Sequence, residues 1–382
     1  MRTSIGAAFL LVILTWAAGV PSVVAQDADP PLVHAINWEP NDRVKQLLDQ
    51  GADVNTKDHW GNPVLKIAAG LGQTDIVKLL LDKGALVDAK GLSGETALME
   101  AARAGHPDVV RLLLDRGAAI DARSDGGETA LMAAAEHGRI DIVEILLDRN
   151  AQVNAKSDLG RTALMEGAQY LGVTGMKTLL DHGALVNERD NLGATALVLT
   201  ARFGRDDAVR FLLASKADLN IADADGASAL MGAAYIGNFD IVQTLVEHSA
   251  DVSAKDKYGN TPLIWCTFKG GTGIAKLLLD RHADVNTSSK SGMTPLMGTA
   301  LRGSAEQTIL FIQHGAKLNT QDTTGETALI KAAIQGHTSV VKALLDAGAD
   351  VKIKSNNGYA ALDVAKTPEI IDLLKQASSK QQ

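Results

Sequence analysis

Apolar residues along this chain recur in short groups with helical spacing, not in the apolar–polar alternation typical of strands. Ile76, Val77 and Leu80 form one such group, and they would share one face of an α-helix. A shorter apolar group with two adjacent small residues, such as Ala101 and Ala102, precedes most groups of this kind. The pattern predicts pairs of short amphipathic helices along most of the chain.

These helical pairs repeat every 33 residues without insertion. A leucine recurs at this period from Leu65 to Leu362, and an alanine recurs from Ala52 to Ala349. A glycine four positions before each leucine occurs ten times, at Gly61, Gly94, Gly127, Gly160, Gly193, Gly226, Gly259, Gly292, Gly325 and Gly358. A fixed period of this length is typical of a solenoid, in which each unit packs on its neighbours, rather than of separate globular domains.

Local residue preferences give each unit its shape. A threonine two residues after the turn glycine is placed to cap a helix N-terminus, at Thr96, Thr129, Thr162, Thr195, Thr261, Thr294 and Thr327. A second glycine, such as Gly105, is expected to end this first helix, and a third, such as Gly117, to end the second. Each unit is therefore predicted to be a turn, a helix, a turn, a helix and a loop.

The recurring residues resemble the ankyrin-repeat pattern of a turn glycine, Thr-Pro-Leu, two alanines, Gly-His, and leucines followed by Gly-Ala. The match extends from about Leu32 to Leu374. The resemblance implies an all-α ankyrin-repeat solenoid with short β-turn or hairpin tips, about nine full units, and a capping unit at each end. We expect one domain at residues 32–376 and a disordered tail at 377–382. Where the family usually has histidine, buried packing is expected of Met99, Met132, Met165, Met231 and Met297.

Residues 1–25 have the pattern of an export signal. Arg2 gives a positive start, an apolar run extends from Ile5 to Val20, and a small-residue cleavage pattern ends at Ala25. This run is shorter than the about 20 apolar residues that a membrane span needs, so a cleaved signal is favoured over an uncleaved anchor. We expect residues 26–31 to be a short linker and the protein to be exported, periplasmic or secreted, with a bacterial envelope favoured.

Composition narrows the classes of partner. The 382 residues include 37 Lys and Arg against 45 Asp and Glu, for a formal net charge of −8. An acidic chain without a basic cluster repels phosphate backbones, so nucleic acid is not an expected partner. The single cysteine, Cys266, permits no internal disulfide and no cysteine-based zinc or iron–sulfur site. We expect a monomer that binds another protein.

Candidate catalytic residues are few, and each has a structural interpretation. His106 and His337 match the Gly-His pattern, which implies a structural hydrogen bond, and Cys266 is expected to be a buried, inert thiol. Recurring carboxylates are expected to brace the turns, at Asp58, Asp190, Asp223, Asp256 and Asp322. His182, His248 and His314 recur in alternate units, too far apart to share a metal. No catalytic motif is present, so we expect no enzyme, no metal and no cofactor.

Aromatic residues concentrate where the resemblance implies partner binding, on the concave side formed by turn tips and first helices. Five of the 33 repeat positions lie there, and about two of the twelve aromatics after residue 25 would fall on them by chance. Seven do so, at Trp60, Tyr170, Phe203, Tyr235, Tyr258, Phe268 and Tyr359. Arg202 and Lys269 are candidates for a polar rim. Aromatic side chains dominate binding energy at protein interfaces, so we predict a partner surface here.

Four of these residues belong to consecutive units. Tyr170, Phe203, Tyr235 and Phe268 end successive first helices, which predicts a row of rings roughly 30 Å long at the usual spacing of packed helices. The alternative is that the rings pack between neighbouring helices and only fill space. The same units replace the glycine that ends the second helix, with Lys216, Ser249 and His282. We expect these units to be locally the least stable.

Two functions remain in view. The first is a non-catalytic, protein-binding scaffold of the periplasm or cell envelope. The second is a glycan-binding module of the envelope that uses the same aromatic row, since aromatic rings also stack on sugar rings. A structural role without a ligand is a weaker third hypothesis.

Overall fold

A computed structural model describes residues 29–269 and 271–380. The predicted export signal at 1–25 and residues 26–28 of the predicted linker lie outside this range. Helices α1 (Pro31–Trp38) and α2 (Asn41–Asp49) form an N-terminal half-unit. Nine two-helix units follow, which we number 1 to 9 by their turn glycines, from Gly61 in unit 1 to Gly325 in unit 9. The expected repeat architecture is confirmed.

The helices of the nine units form two series. The first helices are α3 (Val64–Gly70), α5 (Ala97–Ala104), α7 (Ala130–Glu136), α9 (Ala163–Glu166), α11 (Ala196–Arg202), α13 (Ala229–Ile236), α15 (Pro262–Lys269), α17 (Pro295–Arg302) and α19 (Ala328–Gln335). The second helices are α4 (Thr74–Asp82), α6 (Pro107–Asp115), α8 (Ile140–Asp148), α10 (Gly172–Asp181), α12 (Asp206–Ala214), α14 (Phe239–Glu247), α16 (Gly271–Asp280), α18 (Ala305–Gln313) and α20 (Thr338–Asp346). First helices pack on first helices of adjacent units, and second helices on second helices.

The C-terminal unit is incomplete. Its first helix is reduced to turns around Ala361, and α21 (Pro368–Lys380) packs on α20. Thr367 caps α21 by accepting a hydrogen bond from the backbone N–H of Ile370. The helix continues to Lys380, so the expectation of a disordered tail from residue 377 is wrong for residues 377–380. Hydrogen bonding of the helix backbone, together with the buried Leu374, extends the ordered cap.

The core runs through the whole stack. The methionine positions are buried as predicted, since Met165 is 3% exposed and the other four less. Six of the seven predicted threonine caps accept a hydrogen bond from the backbone N–H three residues later, and Thr261, which accepts from Ile264, is one of them. Thr162 does not. The reason is that α9 has only four residues, and the Met165 N–H donates to the Thr162 carbonyl instead.

The turn tips connect to one another through the backbone. From unit 2 onward, each tip carbonyl accepts a hydrogen bond from an N–H of the next tip, as in Asp125 N–H to Ser93 and Lys290 N–H to Tyr258, at 2.9 and 2.7 Å. The part of the chain that is described contains no strand, and one isolated bridge joins Lys57 and Pro63. The tips are therefore β-turns, each held against the next.

Two further sets of side-chain hydrogen bonds join successive units, and each has a gap. In the loop set, an Asn or Asp oxygen accepts from a backbone N–H 31 residues later, at Asn55, Asp88, Asp121, Asn154, Asn187, Asn286 and Asn319. In the second set, which we call the basic set because Lys or Arg is the usual donor, a side chain donates to a carbonyl 33 residues later. The donors are Lys57, Lys90, Arg123, Lys156, Arg189 and Gln321. Asn220 and Ser253 interrupt the first set, and Ala222, Lys255 and Ser288 the second. Among the described residues, the junction of units 6 and 7 lacks both.

None of the helices in the described ranges has the length and apolar character needed to cross a membrane.

Candidate functional site

The turn tips and the exposed sides of the first helices form one continuous surface, which we call the inner face. All seven aromatics selected from the sequence are exposed on it, from 38% for Tyr235 to 61% for Trp60 and Tyr170. The alternative in which these rings fill space between helices is therefore excluded as a complete explanation. Exposed aromatic rings that are held by a repeat scaffold supply rigid contact area for a partner.

The four rings at the ends of first helices do not form one continuous row. Tyr170 and Phe203 occupy one repeat position, whereas Tyr235 and Phe268 lie one residue earlier in their own units. Tyr235 and Phe268 are in ring contact, with centroids 6.2 Å apart. Within the described residues no ring contact joins Tyr170 or Phe203 to another aromatic side chain. The expected row is therefore reduced to one contacting pair, with the one-residue shift in repeat position falling between Phe203 and Tyr235.

A compact aromatic cluster lies at the junction of units 6 and 7, and it contains a residue that the sequence analysis missed. Trp265 meets Tyr235 edge to face at 5.4 Å between centroids, and it meets Phe268 at 5.6 Å. The indole N–H of Trp265 donates to Oδ2 of Asp256 at 3.0 Å. Asp256 in turn accepts from two backbone N–H groups of its turn, those of Tyr258 and Asn260. The indole is therefore held in one orientation by the turn tip.

An open groove of about 380 Å³ lies beside this cluster. It is lined mainly by apolar atoms, and its residues are Arg202, Ala227, Met231, Gly232, Tyr235, Ile236 and Trp265. Gly232 occupies the same repeat position as Trp265 and Leu199. A Cβ atom at Gly232 would lie 2.8 Å from Cγ of Arg202. The groove therefore owes its depth to the missing side chain at this position.

Charged side chains border the groove. Arg202 is held by an ion pair with Asp223, one unit further along the tips. The Lys269 Nζ lies 5.3 Å from the Tyr235 ring centroid, and the Lys257 Nζ lies 5.0 Å from that of Tyr258. A cation over an aromatic face is attracted by the ring's quadrupole. Arg202 and Lys269, the two rim candidates, thus both lie next to the aromatic cluster.

The inner face of units 2 to 4 has a different character. Glu95 pairs with Lys66 at 2.8 Å and with Arg103 at 2.5 Å. Burial raises the pKa of Glu166, as does the charge of Glu136, against the opposing effect of Arg161. Burial and the charge of Glu136 also raise the pKa of Glu128. This end of the face carries carboxylates that are incompletely neutralised by their neighbours.

The other residues that the sequence singled out have structural roles. Nε2 of His106 lies 3.0 Å from the Gly70 carbonyl of the preceding unit, and Nε2 of His337 lies 3.2 Å from that of Leu301. His182, His248 and His314 each make a hydrogen bond through Nδ1 to the carbonyl four residues earlier. The five carboxylates brace their turns by accepting from backbone N–H groups, as predicted for Asp58, Asp190, Asp223, Asp256 and Asp322.

Cys266 is fully buried, and burial raises the pKa of its thiol. A thiol of this kind is a poor nucleophile because it stays protonated. Within the described ranges, no group of three or more His, Cys, Asp or Glu side chains is placed to hold a metal ion.

Sequence reasoning missed Trp265 because its repeat position carries unrelated residues in other units, from Glu100 to Gly232. A signal was present in the sequence, since Trp265, with the largest type of side chain, lies one unit after Gly232, which has no side chain. Comparing each position with its neighbours one unit away would have indicated the groove.

The fold and this surface define the molecule as a helical repeat solenoid with an exposed interaction face. The family model for ankyrin repeats, described as "Ankyrin repeats (3 copies)", matches in overlapping copies at residues 32–124, 67–157, 117–190, 156–223, 197–289, 274–355 and 296–380. The chain therefore belongs to the ankyrin-repeat family.

The ankyrin repeat domain of human ASB11 is similar in structure, with a TM-score of 0.52. The alignment has 24% sequence identity and covers 57% of this chain and 98% of that one, which shows the fold. A comparison with curated proteins finds no match. Ankyrin repeats mediate protein–protein interaction, and ankyrin-repeat proteins are typically non-catalytic scaffolds.

Proposed function

We propose that this protein is a non-catalytic scaffold of the periplasm or cell envelope that binds a partner protein through its inner face, the concave side of the solenoid. The observation that carries the proposal is the cluster of Tyr235, Trp265 and Phe268 beside an open apolar groove. Few interface residues supply most of the binding energy, and they are enriched in aromatic side chains next to pockets.

Export is supported by the N-terminal sequence, with its positive start at Arg2 and apolar run from Ile5 to Val20. The cysteine content is also compatible with an oxidising compartment. Cys266 is the single cysteine, so no internal disulfide can form, and its thiol is buried.

The glycan-binding alternative is less well supported by the geometry of the rings. Sugar rings stack on flat aromatic faces that lie side by side, whereas Tyr235 meets Trp265 at an interplanar angle of 88°. The two rings form a corner that bounds a groove, which suits a side chain better than an extended sugar chain.

Site-specific photo-crosslinking tests the proposal. Benzoylphenylalanine is placed at Phe268 in one variant and at Phe239 in another. The two positions are comparably exposed, at 39% and 43%, but Phe239 begins a second helix and does not belong to the inner face. The proposal predicts a discrete protein adduct, identified by mass spectrometry in the envelope fraction, from Phe268 only.

Equal adducts from both positions would contradict binding through the inner face. Adducts to glycan alone from Phe268 would favour the alternative function. Recovery of the protein only from the cytoplasmic fraction would contradict the proposed location without affecting the proposed surface.

A further inference from the structure

We infer that the groove at the junction of units 6 and 7 binds an acidic peptide segment. A bulky apolar side chain of that segment occupies the groove, and its carboxylates meet Lys269, Lys290 and Arg302. This inference rests on the proposed function, and it adds the chemistry of the partner and its place on the inner face.

Three exposed cations of units 7 and 8 lack an acidic partner among the described residues. Lys269 ends α15, Arg302 occupies the same repeat position one unit later, and Lys290 lies on the next tip. The backbone N–H of Lys290 donates to the carbonyl of Tyr258 at 2.7 Å, which places this tip directly beside the preceding one. The exposed side chains of Lys290 and Arg302 make no ion pair within the described part of the chain.

Two other cations on first helices of the inner face are neutralised within the protein. Lys331 is 6% exposed and bonds to Asp322 at 2.6 Å and to Glu326 at 2.7 Å. Arg103 pairs with Glu95 and with Glu100. Lys269 and Arg302 differ from these two residues because they end successive first helices, in units 7 and 8, without an acidic partner among the described residues.

The opposite end of the inner face disfavours an acidic partner. Glu136 occupies the repeat position of Tyr235, and Glu166 occupies that of Trp265. The same positions thus carry carboxylates in units 3 and 4 and aromatic rings in units 6 and 7. Like charges placed opposite one another cost interaction energy, so this asymmetry fixes both the place and the direction of an acidic segment. Its apolar residue lies at unit 6 and its carboxylates point toward unit 8.

The apolar part of the segment follows from the groove. Met231, Ile236 and the edge of Trp265 supply an apolar lining, and Gly232 leaves room for an inserted side chain. A groove of about 380 Å³ accommodates one large side chain with adjacent backbone rather than a whole helix. A short, extended segment can place one apolar side chain in the groove and its neighbouring carboxylates at the cations of units 7 and 8.

The test is a selection from a random library of displayed 12-residue peptides on the immobilised full-length protein. The enriched peptides are then tested on a Lys269→Glu, Lys290→Glu, Arg302→Glu variant, which is not used during the selection. We expect enriched sequences with Asp or Glu next to Phe, Trp, Leu or Met. Their synthetic versions should bind the variant, and separately Tyr235→Ala and Phe268→Ala, at least 10-fold more weakly than the unmodified protein.

The matched control is Lys78→Glu, Lys342→Glu, Lys375→Glu, which makes the same charge change on exposed side chains of second helices and α21. Its affinity should be unchanged. Circular dichroism confirms that each variant is folded before affinities are compared.

Failure of this inference can be separated from failure of the proposed function. Enriched peptides that lack acidic residues, or that bind the charge-reversed variant equally, overturn the inference. If such peptides instead lose affinity when Glu100 and Glu136 are substituted, the protein-binding function stands. No enrichment, together with binding of an oligogalacturonate probe, overturns both and supports an anionic glycan as the ligand.

Discussion

The junctions between units 1 and 5 differ from the junction between units 6 and 7 in what holds them together. In the first region, a loop hydrogen bond and a basic side chain cross every junction, as in Asn154 to Leu185 and Lys156 to Arg189. Ion pairs such as Arg116 with Asp82 add to them on the second helices. At the junction of units 6 and 7, both sets are interrupted, and three aromatic rings meet on the inner face.

The comparison shows how one repeat can be specialised without changing its length. The loop set and the basic set stabilise the regular units. The junction of units 6 and 7 lacks both sets, keeps the backbone bond between tips and the ion pair of Lys257 with Asp225, and exposes apolar surface.

Ser249 in unit 6 and His282 in unit 7 have left-handed conformations, at φ of 67° and 66°, as do Lys216 in unit 5 and Asn150 in unit 3, at 65° and 63°. Each such residue costs about 1–2 kcal/mol relative to glycine, so we expect lower stability in units 5 to 7, where three of them occur in succession. The proposed site for a partner coincides with the junction that lacks both sets of hydrogen bonds.

Trp265→Ala should have the largest effect on stability. It removes two ring contacts and the hydrogen bond to Asp256, and we expect it to lower the free energy of unfolding by about 2–3 kcal/mol. Trp60→Ala, at an exposed tip, is the control and should change it by less than about 0.5 kcal/mol. Urea unfolding followed by circular dichroism measures both. Similar losses in the two variants would mean that the rings do not hold this junction.

Asn154→Ala and Asn220→Ala test the loop hydrogen bonds at one repeat position. Asn154 accepts from Leu185 N–H and donates to the Gly183 carbonyl, and its loss should cost about 1–2 kcal/mol. The Asn220 side chain makes no hydrogen bond to the next unit in the described residues, so its removal should cost close to nothing. The pair is compared by thermal and urea unfolding. Equal losses of stability in the two variants would contradict the interruption of the loop set at Asn220.

Glycine at the strained positions should stabilise the middle units. We expect Lys216→Gly, Ser249→Gly and His282→Gly each to gain about 0.5–1 kcal/mol, since relief of the left-handed conformation exceeds the entropy lost by glycine. Gly117→Ser is the reverse control. An added Cβ at Gly117 meets no atom within 4 Å, so its expected cost comes from the backbone alone. A loss of stability in the three glycine variants would show that these side chains make compensating contacts.

The smallest effect concerns pH. Burial raises the pKa of Glu166, so the folded state favours the protonated carboxyl. Its contribution to stability is fully present below the ordinary value of 4.5 and is lost as the pH rises through the folded-state pKa. Glu166→Gln should therefore be more stable than the unmodified protein at pH 7, and the difference should shrink toward pH 4.5. A difference that grows on acidification would contradict the raised pKa.

Most of the fold follows from the sequence because each unit repeats the same local instructions. The turn glycines, the buried methionines and the turn carboxylates behave as predicted in nearly every unit. The exceptions have physical causes that depend on neighbours. Thr162 fails to cap because α9 is short, and Leu171 is buried where other units have an inter-helix glycine, so the positive φ moves to Gly172.

The candidate site was only partly predictable. Exposed aromatics could be recognised by repeat position, but the cluster required knowing which rings meet across a junction. Trp265 shows this limit, since its role depends on Tyr235 and Gly232 in the preceding unit. The basic set of hydrogen bonds had a clear signal, with Lys57, Lys90 and their equivalents at one position, that composition alone did not reveal.

Hydrogen exchange of the full-length protein, resolved by unit with mass spectrometry, tests the central claim most directly. That claim is that units 6 and 7 are less stable than the regular units and expose a recognition surface. It predicts faster exchange of amides in α13 and α15 than in α5, α7 and α19, with the difference reduced when an acidic peptide is bound. Equal protection across these helices in the free protein would contradict it.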